Sequence, residues 1–217
     1  MDPALTARTR LLYETVADSY ARLVAYDRFE PQIDRAMIVD FVERLSDGEP
    51  SVTILDAGCG TGRLIGLLRS LNPRVSPVGV DLSPAMLEHA RAAHPDVQFI
   101  EADCSALPLP DGALDGILAW YSIIHTPPAD LADLFREFRR VLREGGLVLL
   151  GFQSGSGERR RPRAYGHDVD LLAYLHDTST VAGALRAVGF SIDISLDRGP
   201  RRREKLPQGF VLAQVEP

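Results

Sequence analysis

Only two cysteines occur in the 217 residues, Cys59 and Cys104, and neither has the spacing of a metal ligand. That excludes a disulfide scaffold and a zinc module; both read as reduced thiols of a cytoplasmic protein, with no metal site expected. Basic excess is also missing. Lys and Arg total 24 against 30 Asp and Glu, a net charge of −6, which argues against nucleic acid as the main partner. No apolar run approaches a membrane span, and Met1-Asp2-Pro3-Ala4 lacks the basic and apolar pattern of a signal segment. No membrane association is expected, and no internal repeat or second domain is visible. Two basic clusters run against the overall charge: Arg159, Arg160, Arg161 and Arg163, then Arg201, Arg202 and Arg203. They read either as solvated loops or as a local pocket for an acidic substrate.

What is present is an ordinary globular composition, 45% hydrophobic and 25% charged, in a chain long enough for one core. Leu12, Val16, Tyr20 and Leu23 place a helix over residues 6–28, and Ile33, Met37, Phe41, Val42 and Leu45 a second over 31–46. Strands then alternate with helices. Strands are expected at 52–56, 75–81, 97–101, 114–120 and 147–152, with helices at 63–70, 84–94 and 129–143. Gly145-Gly146 is read as the stop of the last helix. Such alternation implies an α/β fold with a parallel sheet. Residues 154–168 read as a loop, 169–175 as a strand or irregular segment, 179–188 as a helix, and 190–197 and 208–215 as closing strands.

The chemistry is concentrated at strand ends. Ile54-Leu55-Asp56-Ala57-Gly58-Cys59-Gly60-Thr61-Gly62-Arg63 reads as a buried strand, a carboxylate, a glycine turn and a helix start. An acid ahead of the glycines suits an amine or positive charge; a pyrophosphate site has its glycines without that acid. Asp81 follows 25 residues later, one strand–helix–strand unit on, where a carboxylate can accept from both hydroxyls of a ribose. Its alternative role is helix capping. Asp103 could accept from an exocyclic amine, with Leu82 and Cys104 beside the ring; its alternative is a loop turn.

With Pro108-Leu109-Pro110-Asp111-Gly112-Ala113-Leu114-Asp115 and Arg143-Glu144-Gly145-Gly146, these motifs resemble class I S-adenosylmethionine-dependent methyltransferases of the small-molecule type. The resemblance spans residues 52–152. It implies a Rossmann-like three-layer sandwich with a seven-stranded, mostly parallel sheet and a C-terminal antiparallel hairpin strand. Residues 1–217 then form one domain, with 1–47 a helical cap, 52–152 the cofactor core and 153–178 a substrate lid. The cofactor implied is S-adenosyl-L-methionine, with S-adenosyl-L-homocysteine as product. Asp56, Gly58, Gly60 and Gly62 would hold its methionine part, Asp81 its ribose, Asp103 its adenine, and Ala119 would face it with backbone atoms. Tyr13 and Tyr20 match a tyrosine pattern in the family's N-terminal helix, so Tyr20 is assigned to the cofactor and Tyr13 to the acceptor. Core aromatics are the other reading.

The reaction centre is expected after strand four, over residues 120–128. His125 is the candidate general base, since an unperturbed imidazole near pKa 6.5 suits neutral pH; a structural histidine is the alternative. Tyr121 is a second catalytic candidate, and Trp120 a wall of the acceptor pocket. His167 and Tyr174 are placed in a roof over the acceptor; His167 is a second candidate base, with an exposed loop histidine as its other reading. Asn-Pro-Pro-Tyr and Asp-Pro-Pro-Tyr, typical of base-modifying relatives, are absent, and Thr126-Pro127-Pro128 does not replace them. The partner implied is a small-molecule methyl acceptor, for a monomer or homodimer. A cofactor-binding protein without catalysis, an RNA or protein methyltransferase, and a nicotinamide-dependent oxidoreductase are the competing functions. The last needs phosphate room where Asp56 stands.

Overall fold

A computed structural model describes residues 2–24, 31–201 and 204–216. Residues 25–28 of the expected first helix, and Arg202 and Arg203, lie outside them. The chain runs α1 (Pro3–Leu23), α2 (Gln32–Ser46), β1 (Val52–Ala57), α3 (Ile65–Leu71), β2 (Val75–Asp81), α4 (Pro84–Ala93), β3 (Gln98–Glu101) and β4 (Leu114–Trp120). It continues with α5 (Leu131–Val141), β5 (Leu142–Gln153), β6 (Glu158–Ala164), β7 (His167–Tyr174), α6 (Thr178–Arg186), β8 (Phe190–Arg198) and β9 (Gln208–Val215). Seven strands pair in the order β3-β2-β1-β4-β5-β9-β8. The first five are parallel and β9 is antiparallel to both its neighbours. This is the architecture the sequence resemblance implies.

Burial on both sheet faces explains the apolar strands. Phe135, Phe138, Val148 and Phe190 share one core cluster, and Phe41, Ile54, Leu149 and Phe210 share another. Ser83 caps α4: its side chain accepts from the Met86 N–H, with Pro84 opening the helix.

The parallel strands bring the turns after β1, β2, β3 and β4 to one edge of the sheet. Because β9 runs the other way, it begins at that edge, with Gln208 opposite Gln153. Residues 204–207, which precede it, therefore lie over the same place, as does the chain leaving β5.

Three expectations need correction. The helix after the glycine turn starts at Ile65, not Arg63, because Gly62 N bonds Cys59 O and Ile65 N bonds Gly62 O in successive turns. Gly145-Gly146 does not end α5. The helix stops at Val141, Leu142 already pairs with Leu114, and Arg143 is drawn to Asp115 at 2.5 Å. Residues 154–168 are not a loop: β6 and β7 form a hairpin. Glu158-Arg159-Arg160-Arg161-Pro162-Arg163 shows no apolar alternation, so periodicity could not reveal it. Cross-strand charge pairs support it instead, Arg163 with Asp168 and Arg160 with Asp170, and Pro162 sits where the register shifts. The 108–115 motif is structural. Arg140 ties Leu107 O, Leu109 O and Asp111 to α5, and Asp115 accepts from the Thr53 N–H.

Candidate active site

A cavity of about 800 Å³ opens at this edge. Eleven residues singled out in the sequence line it: Tyr13, Tyr20, Gly58, Gly60, Asp81, Leu82, Asp103, Cys104, Trp120, Tyr121 and His125.

The glycine turn forms its floor. Gly58 and Gly60 have φ of 77° and 54°. A Cβ on Gly58 would lie 2.4 Å from the Ser122 Cβ, so only glycine lets the β1 and β4 turns approach this closely. Gly58 N and Cys59 N both bond Val80 O, and Gly60 N donates to Asp81 Oδ2 at 2.8 Å. The other Asp81 oxygen accepts from the Ser83 N–H at 2.9 Å. Asp81 is thus held by the backbone from both sides of the cavity floor. Burial raises its pKa, and these N–H groups partly offset the rise.

Asp56 lies at the end of β1, 2% exposed, beneath that floor and outside the lining. Its Oδ2 is buried with no hydrogen-bond partner. Desolvation pushes its pKa up to about 7 against the pull of Arg63, and Asp81 adds to the rise. A buried acceptor of this kind is costly unless a donor reaches it. Arg63, which the sequence reading used only as a helix start, lines the cavity and hydrogen-bonds the Tyr20 hydroxyl.

Asp103 shows the loop turn, and its second oxygen takes a hydroxyl from α1. Oδ1 accepts from the Ser105 N–H and hydroxyl, a loop turn, while Oδ2 accepts from Thr6 of α1 at 3.2 Å. Cys104 lines the wall and Cys59 is buried behind it; burial raises both thiol pKa values, so neither is a thiolate at neutral pH.

His125 occupies a short 3-10 turn, Ile123–His125, directly after β4. Its Nδ1 lies 3.1 Å from Leu172 O, and a carbonyl only accepts, so Nδ1 carries the proton. Nε2 then accepts from the Tyr13 hydroxyl at 2.8 Å. Burial lowers the pKa to about 4, opposed by the Leu172 contact. The imidazole is therefore neutral throughout the physiological range, and the ionisation expected near 6.5 does not occur there. Tyr13 and Tyr20 meet edge to face at 6.3 Å, and Tyr20 meets Tyr165 at 5.0 Å. Tyr165, at the hairpin turn, and Tyr121 are the non-glycine residues with positive φ among the described residues, at 52° and 60°, and both line the cavity. Such strain is uncommon and concentrates at binding sites.

Four further assignments do not reach the wall. Gly62 packs behind it, where a Cβ would press on Ala90, His94 and Phe99. Ala119 is fully buried, because β4 runs one residue further and Trp120 takes the cavity edge. Tyr174 faces away: it pairs with Glu158, one residue out of phase with the cavity-lining Arg159 and Arg161. His167 pairs with Ala164 at the hairpin's turn end, outside the lining. The sequence reading missed the hairpin's inward residues because it missed β6. It missed Lys205 and Gln208 because their place depends on where β9 starts.

Residues 54–146 match the methyltransferase domain family. A malonyl-[acyl-carrier protein] O-methyltransferase from Dechloromonas aromatica is 38% identical over 144 residues, covering 66% of this chain and 50% of that protein. The chain spans half or less of the length of the curated relatives it matches. Among solved structures, DhpI in complex with SAH superposes with a TM-score of 0.73 at 20% identity, covering 100% of both chains. The SAM-bound magnesium protoporphyrin IX methyltransferase from Synechocystis PCC 6803 gives 0.69 at 20%, covering 98% of this chain and 97% of that one. At these identities the structural likeness concerns the fold. Strand order, motif order and the domain match agree: residues 54–146 belong to the methyltransferase domain family, within a class I S-adenosylmethionine-dependent methyltransferase fold.

Proposed function

We propose that the chain is one catalytic domain that transfers a methyl group from S-adenosylmethionine to a small molecule held in the cavity. The observation that carries this reading is Asp56. Its unpartnered, buried oxygen suits the ammonium of the methionine part, with Gly58 and Gly60 leaving room for the chain of that group. Asp81 keeps lone pairs for ribose hydroxyls, Asp103 for the adenine amine, and Tyr20 covers the cofactor from α1. When bound, the cofactor supplies a methyl on a sulfonium for in-line displacement.

The residues of this chain position the acceptor and take its proton. Tyr13 directs its own proton at His125, so its oxygen is free to accept a hydrogen bond from the acceptor's O–H or N–H. On methyl transfer that proton passes to Tyr13 while the Tyr13 proton moves to His125 Nε2. The buried imidazolium that results takes the place of the positive charge lost from the sulfonium, so the net charge inside the cavity stays constant. Tyr13 thus joins His125 in the base's task, in place of His167, the second base candidate; Tyr121 and Trp120 shape the wall beside them.

Calorimetry should show saturable binding of S-adenosylhomocysteine and no comparable binding of NAD. Asp56→Asn should weaken that binding about 10–150-fold, the scale of a charged hydrogen bond. The same substitution should stabilise the ligand-free protein at pH 8. In the fold Asp56 ionises near 7 rather than near 3.8, so its favourable contribution exists at low pH and is lost as pH rises through that window. At pH 4 the two proteins should be equally stable. Undiminished affinity in the variant would remove Asp56 from the site.

A further inference from the structure

The β6–β7 hairpin sorts its arginines by face. Arg160 and Arg163 point outward and each has a carboxylate: Glu158 and Asp170 near the first, Asp168 at 3.1 Å from the second. Arg159 and Arg161 point inward and line the cavity. No ion pair or hydrogen bond engages either of them among the described residues. Lys205, the single lysine of the sequence, enters the cavity from residues 204–207, likewise without a partner.

The acids of the same cavity are already committed. Asp81 is held by two backbone N–H groups and Asp103 by Ser105 and Thr6. Glu204 is bound through both oxygens to Arg198. Burial and the neighbouring Arg161 lower the pKa of Arg159, the mark of like charges held together without a counter-ion. Arranging two guanidiniums this way costs free energy that an oxyanion returns through charge-assisted hydrogen bonds. Tyr165 at the hairpin turn, with Trp120 and Tyr121, adds an aromatic wall to the same space.

We propose that Arg159 and Arg161, with Lys205, form a specificity site for a methyl acceptor that carries a carboxylate or phosphate group on an apolar body. The inference rests on the proposed cofactor reading and deepens it: the acids of β1–β3 serve the cofactor, and the bases of the added segments serve the acceptor.

The test uses full-length protein saturated with S-adenosylhomocysteine. Its affinity for benzoate and phenyl phosphate is measured by calorimetry against the neutral analogues benzamide and benzyl alcohol. At least one anion should bind about tenfold or more tightly than its neutral analogue. Arg159→Gln combined with Arg161→Gln should erase that preference, while Arg160→Gln, on the outward face, should leave it intact. The carboxylate and phosphate arms tell which oxyanion is preferred. Equal binding of charged and neutral probes, binding of none of them, or equal losses in the inward and outward variants would overturn the proposal. So would a double variant that loses S-adenosylhomocysteine affinity with no anion preference in the wild type, since the arginines would then hold the cofactor's own carboxylate. Absence of S-adenosylhomocysteine binding in the wild type is a separate result and overturns the cofactor reading itself.

Discussion

Asp81 is fixed by N–H groups from Gly60, 21 residues away, and Ser83, 2 residues away. His125, across the cavity, is fixed by Tyr13, 112 residues away, and by Leu172, 47 residues away. The contrast extends to the whole of each wall. The glycine turn and the turns after β2 and β3 are held by backbone bonds at strand ends. The wall made of α1, the hairpin and residues 204–207 is held mainly by side chains, Thr6 on Asp103, Arg8 on Asp170, Arg10 on Glu101 and Arg198 between Asp34 and Glu204, with one backbone bond from the Ser154 N–H to Pro207 O. A backbone-held wall is in place as soon as the sheet forms. A side-chain-held wall can open and reclose without unpairing a strand, which is how low-stability segments serve ligand entry.

Breaking the second wall at its deepest point should have the largest effect. Arg198 is buried and bonds Asp34 through two 2.6 Å contacts, so Arg198→Ala leaves two carboxylates without their cation. Chemical denaturation should report a loss of about 3–5 kcal/mol. Wild-type stability in that variant would mean that residues 204–207 are held by something else.

Tyr13→Phe sharpens the comparison by cutting one bond without removing a ring. Turnover should drop roughly 10²–10⁴-fold if the pair accepts the proton, with S-adenosylhomocysteine affinity almost unchanged. At saturating cofactor, where Asp56 stays paired, the wild-type rate should be flat from about pH 5 upward, because His125 ionises near 4. A buried histidine of depressed pKa contributes stability above its unfolded pKa and loses it as pH falls, so the protein should weaken on acidification through the same residue. A rate rising through pH 6.5 would contradict this account.

The smallest effect belongs to the outermost latch. Thr6→Val removes the hydroxyl that bonds Asp103. Stability should change by about 1 kcal/mol or less, yet amide exchange over residues 3–23 should quicken while the glycine turn keeps its protection. Uniform quickening across both would erase the distinction between the walls.

The same division decides what could be read from the sequence. The first wall is a set of local motifs: a carboxylate, glycines and a strand end recur within a few residues, so Asp56, Gly58, Gly60, Asp81 and Asp103 were all legible. Sheet order followed, since alternation and an apolar run at 147–152 leave few topologies. The second wall is assembled from residues up to 164 apart, and no periodicity encodes such pairs. Tyr13 and Tyr20 were legible as a shared helix face, but not the bond between Tyr13 and His125. Arg159 and Arg161 were seen as a charge run, and only the pleat of β6 separates them from Arg160. His167 and Tyr174 were assigned to the roof by position in the chain, where alternation along β7 decides instead.

The left-handed backbone at Tyr121 and Tyr165 limits how this pocket can be re-sculpted. Both rings line the cavity, so a mutagenesis library aimed at new acceptors would start there. Valine, isoleucine and threonine, with their branched Cβ, fit that conformation poorly, whereas glycine, asparagine and aspartate adopt it readily. A library restricted to those three at 121 and 165 would retain more folded members than one drawn from aliphatic residues. The neighbouring Trp120 and Ser122 lack that backbone constraint and are limited by packing instead: Trp120 is buried and stacked on Phe210, and the Ser122 Cβ lies against Gly58.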